Sequence, residues 1–219
     1  YSLPLGVPRD PRETVPQPAV QGEATGARFR VRGNLRDFPF RQPKDGEFRI
    51  SAPVRNVTYA FAPKPVAQGG VQAPWPVLTG LSGELVFERG GMRVEDARGG
   101  VAGAPGLRLQ ATAQVPDLHE SVVGVQGEIR GSLTEALGVV QRSPVSALMG
   151  DVLTTTTATG AAEVRLALSL PLAHLDQSRV QGSVVLAGND VQITPDTPLL
   201  SRARGTVSFT ERGFTLAGV

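Results

Sequence analysis

The chain contains no cysteine, which excludes a disulfide scaffold and any thiolate-ligated zinc site. Aromatic residues are sparse: one Trp, two Tyr and eight Phe in 219 residues, too few for a sugar-stacking surface. An excess of charge is missing too, with 22 basic residues against 20 acidic. No basic stretch is interleaved with stacking aromatics, so nucleic acid is not expected as a partner. No apolar run reaches the ~20 residues that a membrane-crossing helix needs. Only two histidines are present, His119 and His174. His119 stands near Asp117 and Glu120, but nothing nearby supplies the three or four ligands of a metal site, and no H-E-x-x-H spacing occurs. A G-x-S-x-G elbow and a phosphate-binding loop are absent, and the Gly-rich "GGVAGAPG" lies between strand-like runs and opens no helix. Carboxylates are scattered without a paired constellation. These absences predict a non-enzymatic chain with no metal and no cofactor.

What the chain does have is alternation with a period of two, the mark of strands with one apolar and one wet face. In 27–35, Phe29, Val31 and Leu35 oppose Arg28, Arg30 and Arg32. The pattern continues through Phe48 and Ile50, then Val57, Tyr59 and Phe61. Leu107, Leu109, Ala111, Ala113 and Val115 oppose Arg108, Gln110, Thr112 and Gln114, and Val164, Leu166, Leu168 and Leu170 oppose Arg165, Ala167 and Ser169. Gly90-Gly91, Gly99-Gly100, Pro105-Gly106, Gly188-Asn189-Asp190 and Arg212-Gly213 are predicted as turns. "TTTTATG" (154–160) reads as a solvated strand. The fold class is therefore mainly β, an antiparallel meander.

One segment departs from that period. Leu133, Ala136, Leu137 and Val140 fall at i, i+3, i+4 and i+7, an amphipathic helix. Ser132 with Glu135 forms the sequence of a capping box. Pro144 stops this helix, and Ser143-Pro144 is positioned to start a second short one, so one or two helices are expected near 132–149.

A hairpin sequence occurs twice. "SGELVFERGGMRV" (82–94) aligns with "RGTVSFTERGFTL" (204–216), placing Gly83 on Gly205, 122 residues later, Phe87 on Phe209 and Met92 on Phe214. Solenoid periods are usually shorter, so the offset by itself is weak support for an internal repeat. A Pro-rich lead-in is expected over 1–22, the β region over 23–219, and a sub-unit boundary near the Pro-rich 62–76. Tyr1 is no initiator, and Val219 falls where the second hairpin should continue. The sequence thus reads as part of a longer protein, with targeting signals expected elsewhere.

The order of several blocks resembles the YhdP group of AsmA/TamB-like proteins: "VRGNLRDFPFRQPKDGEFRI", "APWPVLTGLSGELVFERGGMRV", "VQGEIRGSLTEALGVVQRSPV", "LALSLPL" and "VQGSVVLAGNDVQI…LLSRARGTVSF", from about residue 28 to the end. The resemblance implies an elongated, curled antiparallel sheet, a β-groove repeat module, in a long protein anchored in the Gram-negative inner membrane. It also implies movement of phospholipid through the periplasm towards the outer membrane, with acyl chains against an apolar groove. Candidate lining residues are Phe29, Val31, Phe48, Ile50, Leu85, Phe87, Leu107, Leu109, Val164, Leu166, Leu168 and Phe209. A structural β-domain with a self-packed core would show the same alternation, and patterning does not separate the two. A carbohydrate-processing solenoid enzyme lacks the clustered carboxylates it would need.

Overall fold

The computed structural model describes residues 19–34, 36, 40, 44–61, 74–119, 122–148 and 153–218. The lead-in up to residue 18 and most of the proposed boundary at 62–76 lie outside the described residues. In chain order the elements are β1 Ala19–Ala24, β2 Arg28–Gly33, β3 Gly46–Ala60, β4 Val77–Glu88, β5 Gly91–Val101, β6 Ala104–Val115 and β7 Val122–Ser132. Then follow α1 Leu133–Gln141, α2 Val145–Leu148, β8 Thr157–Ala158, β9 Ala161–Pro171, β10 Arg179–Gln192, β11 Leu200–Thr210 and β12 Gly213–Ala217.

All the strands form one 12-stranded sheet in the order β1-β3-β4-β5-β6-β7-β9-β10-β11-β12, with β2 also on β3 and β8 also on β10. Every pairing is antiparallel, as alternation with two-residue turns requires. The sheet is not closed: the broken strand β1–β2 forms one edge and β12 the other.

Several expected turns are instead interruptions within long strands. Gly99-Gly100 lies inside β5, Pro105-Gly106 inside β6 and Gly188-Asn189-Asp190 inside β10. The alternation slips by one residue in the middle of strands, and a bulge absorbs each slip. In β3 the apolar positions run Phe48, Ile50, Ala52, Val54, then Val57 and Tyr59, with Asn56 between them at φ 48°. Asp96 at 48°, Gly80 at 60°, Gly188 at 111° and Arg202 at 51° do the same for β5, β4, β10 and β11. Asn, Asp and Gly tolerate this left-handed conformation best. Each bulge bends its strand and returns the apolar residues to one face. "TTTTATG" gives only the two-residue β8; Thr156 is buried and donates its hydroxyl to Ile193 O at 3.0 Å. A buried position explains the departure from a solvated strand.

The repeated hairpin is part of a larger duplication. Ile50 pairs with Phe87 and Gly182 with Phe209; Val54 pairs with Gly83 and Leu186 with Gly205. Beyond the bulges, Val57–Leu81 and Tyr59–Leu78 correspond to Asn189–Ala203 and Val191–Leu200. The correspondence includes both bulges, Asn56 with Gly188 and Gly80 with Arg202. It extends to the edge: Val20 pairs with Tyr59 as Ala158 does with Val191, and Arg28 with Ser51 as Arg165 does with Ser183. Strands β1 to β5 thus recur, pair for pair, as β8 to β12. The first copy is completed by β6 and β7.

Candidate functional site

Directly paired residues of an antiparallel ladder share a face, so the registers sort every side chain. Ala52, Leu85, Val94, Ala113, Val125, Leu168 and Val180 form one continuous apolar row across seven strands. A second row runs Phe29, Ile50, Phe87, Met92 and Val115. A third runs Leu109, Ile129, Val164, Val184, Val207 and Leu216. Leu166, Phe209 and Phe214 share this face, and Phe48 pairs beside Val31.

The opposite face is polar and stitched by ion pairs. Glu88 accepts from Arg49 at 3.4 Å and Arg93 at 3.0 Å. Arg165 reaches Glu163 at 2.8 Å and Glu128 at 3.7 Å, while Arg130 contacts Glu128 and Glu163. The Glu95 carboxylate, hydrogen-bonded to Arg93, raises that guanidinium's pKa further. Val86 is an apolar exception on this face, buried between Ser51 and Arg93, where the stem of an arginine is an adequate neighbour.

Helix α1 divides the apolar face into two parts. Its Ala136 and Val139 pack on Val101, Ala104 and Leu107, and its Leu133 and Leu137 join Leu186, Ala203 and Val207. The helix therefore reaches from β5–β6 to β10–β11 over the strand ends nearest its own connection. Polar bonds fix it: Thr134 Oγ1 donates to Ala158 O at 2.6 Å, and Gln141 Nε2 donates to Leu153 O and Thr156 O. The capping box forms only in part. Ser132 caps the N-terminus by accepting from Glu135 N. The Glu135 carboxylate instead accepts from Gly106 N at 2.9 Å, tying the helix to β6.

The predicted lining residues consequently fall into three environments. Leu107 is 2% exposed beneath α1, and Leu109 packs beside it. Phe48, Ile50, Leu85, Phe87, Val164, Leu166, Leu168 and Phe209 are half-buried. Phe29 and Val31 stand at the β2 edge, 70% and 51% exposed. Val94 and Val125 occupy the central row but were not among the candidates, although Val123, Val125 and Ile129 alternate legibly in β7. Val180, Leu170 and Val115 are buried near the strand ends. Along the β3 margin Tyr59, Phe61 and Trp75 form an aromatic cluster, with centroids 6.4 and 5.1 Å apart. Burial raises the Tyr59 pKa.

Asp117 accepts from His119 N at 2.8 Å and lies 2.9 Å from its Nδ1, a local loop contact, and His174 is exposed in a turn. No grouping of ligands fit for a metal occurs among the described residues, and no described helix is long and apolar enough to cross a membrane.

A family model described as YhdP protein matches residues 17–219. Over 192 residues the chain is 28% identical to the intermembrane phospholipid transporter YhdP of Escherichia coli (strain K12), an alignment covering 87% of this chain and 14% of that protein. No solved structure matches. On the extent of the family match, the chain belongs to the YhdP protein family.

Proposed function

We propose that this chain is a length of lipid-conducting surface in a larger protein that carries phospholipid between the inner and outer membranes through the periplasm. Acyl chains would lie on the part of the apolar face that α1 leaves uncovered. The observation that carries the reading is the continuous row from Ala52 to Val180, which crosses seven strands and is half-buried over most of its length, with no second sheet upon it among the described residues. Each methylene exposed to water costs about 0.8 kcal/mol, so two sixteen-carbon chains face on the order of 20 kcal/mol in aqueous transit. A continuous apolar lining removes most of that cost, and contacts without directionality let a chain slide. The Escherichia coli relative's role as an intermembrane phospholipid transporter agrees with this reading. Anchorage in the inner membrane belongs to segments outside this stretch.

The part beneath α1 favours ordinary packing: Leu107, Leu186 and Ala203 are buried there as a core. The conducting lane is therefore the other part. Leu168→Asp would place a charge in it, whereas Ala167→Asp adds one to the polar face. In the full-length protein, transfer of pulse-labelled phospholipid to the outer membrane should fail with the first and persist with the second. Equal transfer by both variants, with folding intact, would refute the lane.

A further inference from the structure

The two copies of the duplicated unit carry opposite charges at one equivalent position on the rim of the sheet. In the first copy the β4–β5 turn begins at Arg89, whose backbone N donates to Phe48 O at 3.2 Å. In the second the β11–β12 turn begins at Glu211, whose N donates to Val180 O at 3.0 Å. The offset that sets Phe87 on Phe209 sets Arg89 on Glu211. Phe48 and Val180 correspond as well, because Ile50 and Gly182 pair with those two phenylalanines. The Glu211 carboxylate is satisfied locally, accepting from Val180 N at 3.3 Å. Arg89 lacks such closure. Its Nη1 stands 3.9 Å from Glu88 Oε1, while Oε2 of that carboxylate already takes Arg49 and Arg93. Three guanidiniums here meet only the carboxylates of Glu88 and Glu95, so positive charge is left over. The Arg89 Nε is buried with no acceptor among the described residues, a costly state for an N–H. The residue also holds φ 56°, a strained conformation of the kind that gathers at binding sites.

Helix α1 covers the strand ends at Val101 and Ala104, and the Arg89-Gly90 turn lies at the opposite end of β5. A cleft of about 370 Å³ at this turn is lined by Met92 and Val115 of the second apolar row and by Arg89, Arg93 and His119. Asp117 lines it too, engaged by His119. We infer that Arg89 binds the phosphate of a phospholipid headgroup whose acyl chains lie on Met92, Val94 and the rows beyond. The site rests on the apolar lane proposed above and gives that lane a polar end. A guanidinium presents Nε and Nη as a planar fork matched to two phosphate oxygens, and the unpaired Nε is one arm of it. The second copy, with a carboxylate at the equivalent place, repels the same group.

Two lipids compete in one sample. Purified full-length protein with a photoreactive residue in place of Val94 is incubated with vesicles holding equal amounts of phosphatidylglycerol and diacylglycerol of the same chains, each with its own isotope label. The ratio of the two captured lipids is read, since partial loss of folded protein lowers both alike. Arg89→Asn, which suits a left-handed turn, should lower the phospholipid-to-diacylglycerol ratio roughly five- to tenfold. Arg89→Lys should keep part of the preference, because an ammonium attracts phosphate without the fork. Arg212→Gln removes a cation from the equivalent turn of the second copy and should leave the ratio unaltered. An unchanged ratio in Arg89→Asn, whatever the total capture, overturns the proposal. Loss of the preference when millimolar inorganic phosphate is added to the parent protein would assign Arg89 to a free anion and overturn it as well. Capture of neither lipid at 94 would refute the lane itself, and the headgroup site with it.

Discussion

The division of the apolar face by α1 makes two leucines of similar sequence context energetically unlike. Leu107 is 2% exposed and packs against Ala136 and Val139 of the helix. Leu107→Ala removes three carbons, about 2.4 kcal/mol of transfer free energy. It also leaves a cavity that sheet and helix, pinned by Glu135 on Gly106, close only in part. The total should be about 3–4 kcal/mol. Leu168 lies half-buried on the central row, outside the packing under α1. Leu168→Ala forfeits only a fraction of the transfer free energy and opens no enclosed void, so about 1 kcal/mol is expected. For a chain of this size the two changes correspond to melting shifts of roughly 10 °C and 3 °C. Urea unfolding of both variants, followed by circular dichroism at a common slope, measures the difference. Equal losses would refute the partition, because both leucines would then belong to one closed core.

Three further outcomes follow from particular contacts. Asn189, which is 2% exposed, donates through Nδ2 to Thr159 O and Ala161 O and accepts through Oδ1 from Ala187 N. Asn189→Ala strands these backbone groups and should cost roughly 2–4 kcal/mol in urea unfolding; a loss below half a kcal/mol would show that water replaces the side chain freely. Both Gly188 and Gly90 have open space for a side chain, but Gly188 has φ 111° whereas Gly90 lies outside the left-handed region. Gly188→Val should therefore lower stability by about 1–3 kcal/mol and Gly90→Val by much less, and the reverse order would contradict the bulge. The Glu211 carboxyl is held below its usual pKa by its own backbone amide and by that of Val180. Its contribution is present at neutral pH and lost as pH falls through that lowered value. An NMR titration should place its midpoint below those of unperturbed glutamates, and an ordinary midpoint would remove the contact.

Much of the fold was legible because alternation is a direct imprint of a half-buried sheet. Phe29, Leu109, Leu166 and Leu168 all sit on the face their spacing predicts, and Ser132 caps the helix at the expected residue. Gly188-Asn189-Asp190 reads as a turn in the sequence yet lies inside β10, because the residues that suit hairpin turns also suit bulges, and only the partner strand distinguishes them. The slip from Val54 to Val57 around Asn56 was visible in the sequence as a change of parity. Its meaning required the matching slip on β4 at Gly80. The hairpin alignment at 122 residues caught one strand pair of a duplication whose remaining strands share register but little sequence: Ile50 corresponds to Gly182, and Val57 to Asn189. The burial of Leu107 was not legible, since alternation reports which face a residue joins and not what covers it.

The central claim, that the uncovered part of the apolar face holds lipid, is tested most directly by photocrosslinking in the full-length protein in its native cells. A photoreactive residue replaces Leu168 on the apolar row or, separately, Ala167 on the polar face. The account predicts phospholipid adducts at 168 and none at 167. Capture of protein alone at 168, or equal lipid labelling at both positions, would contradict it.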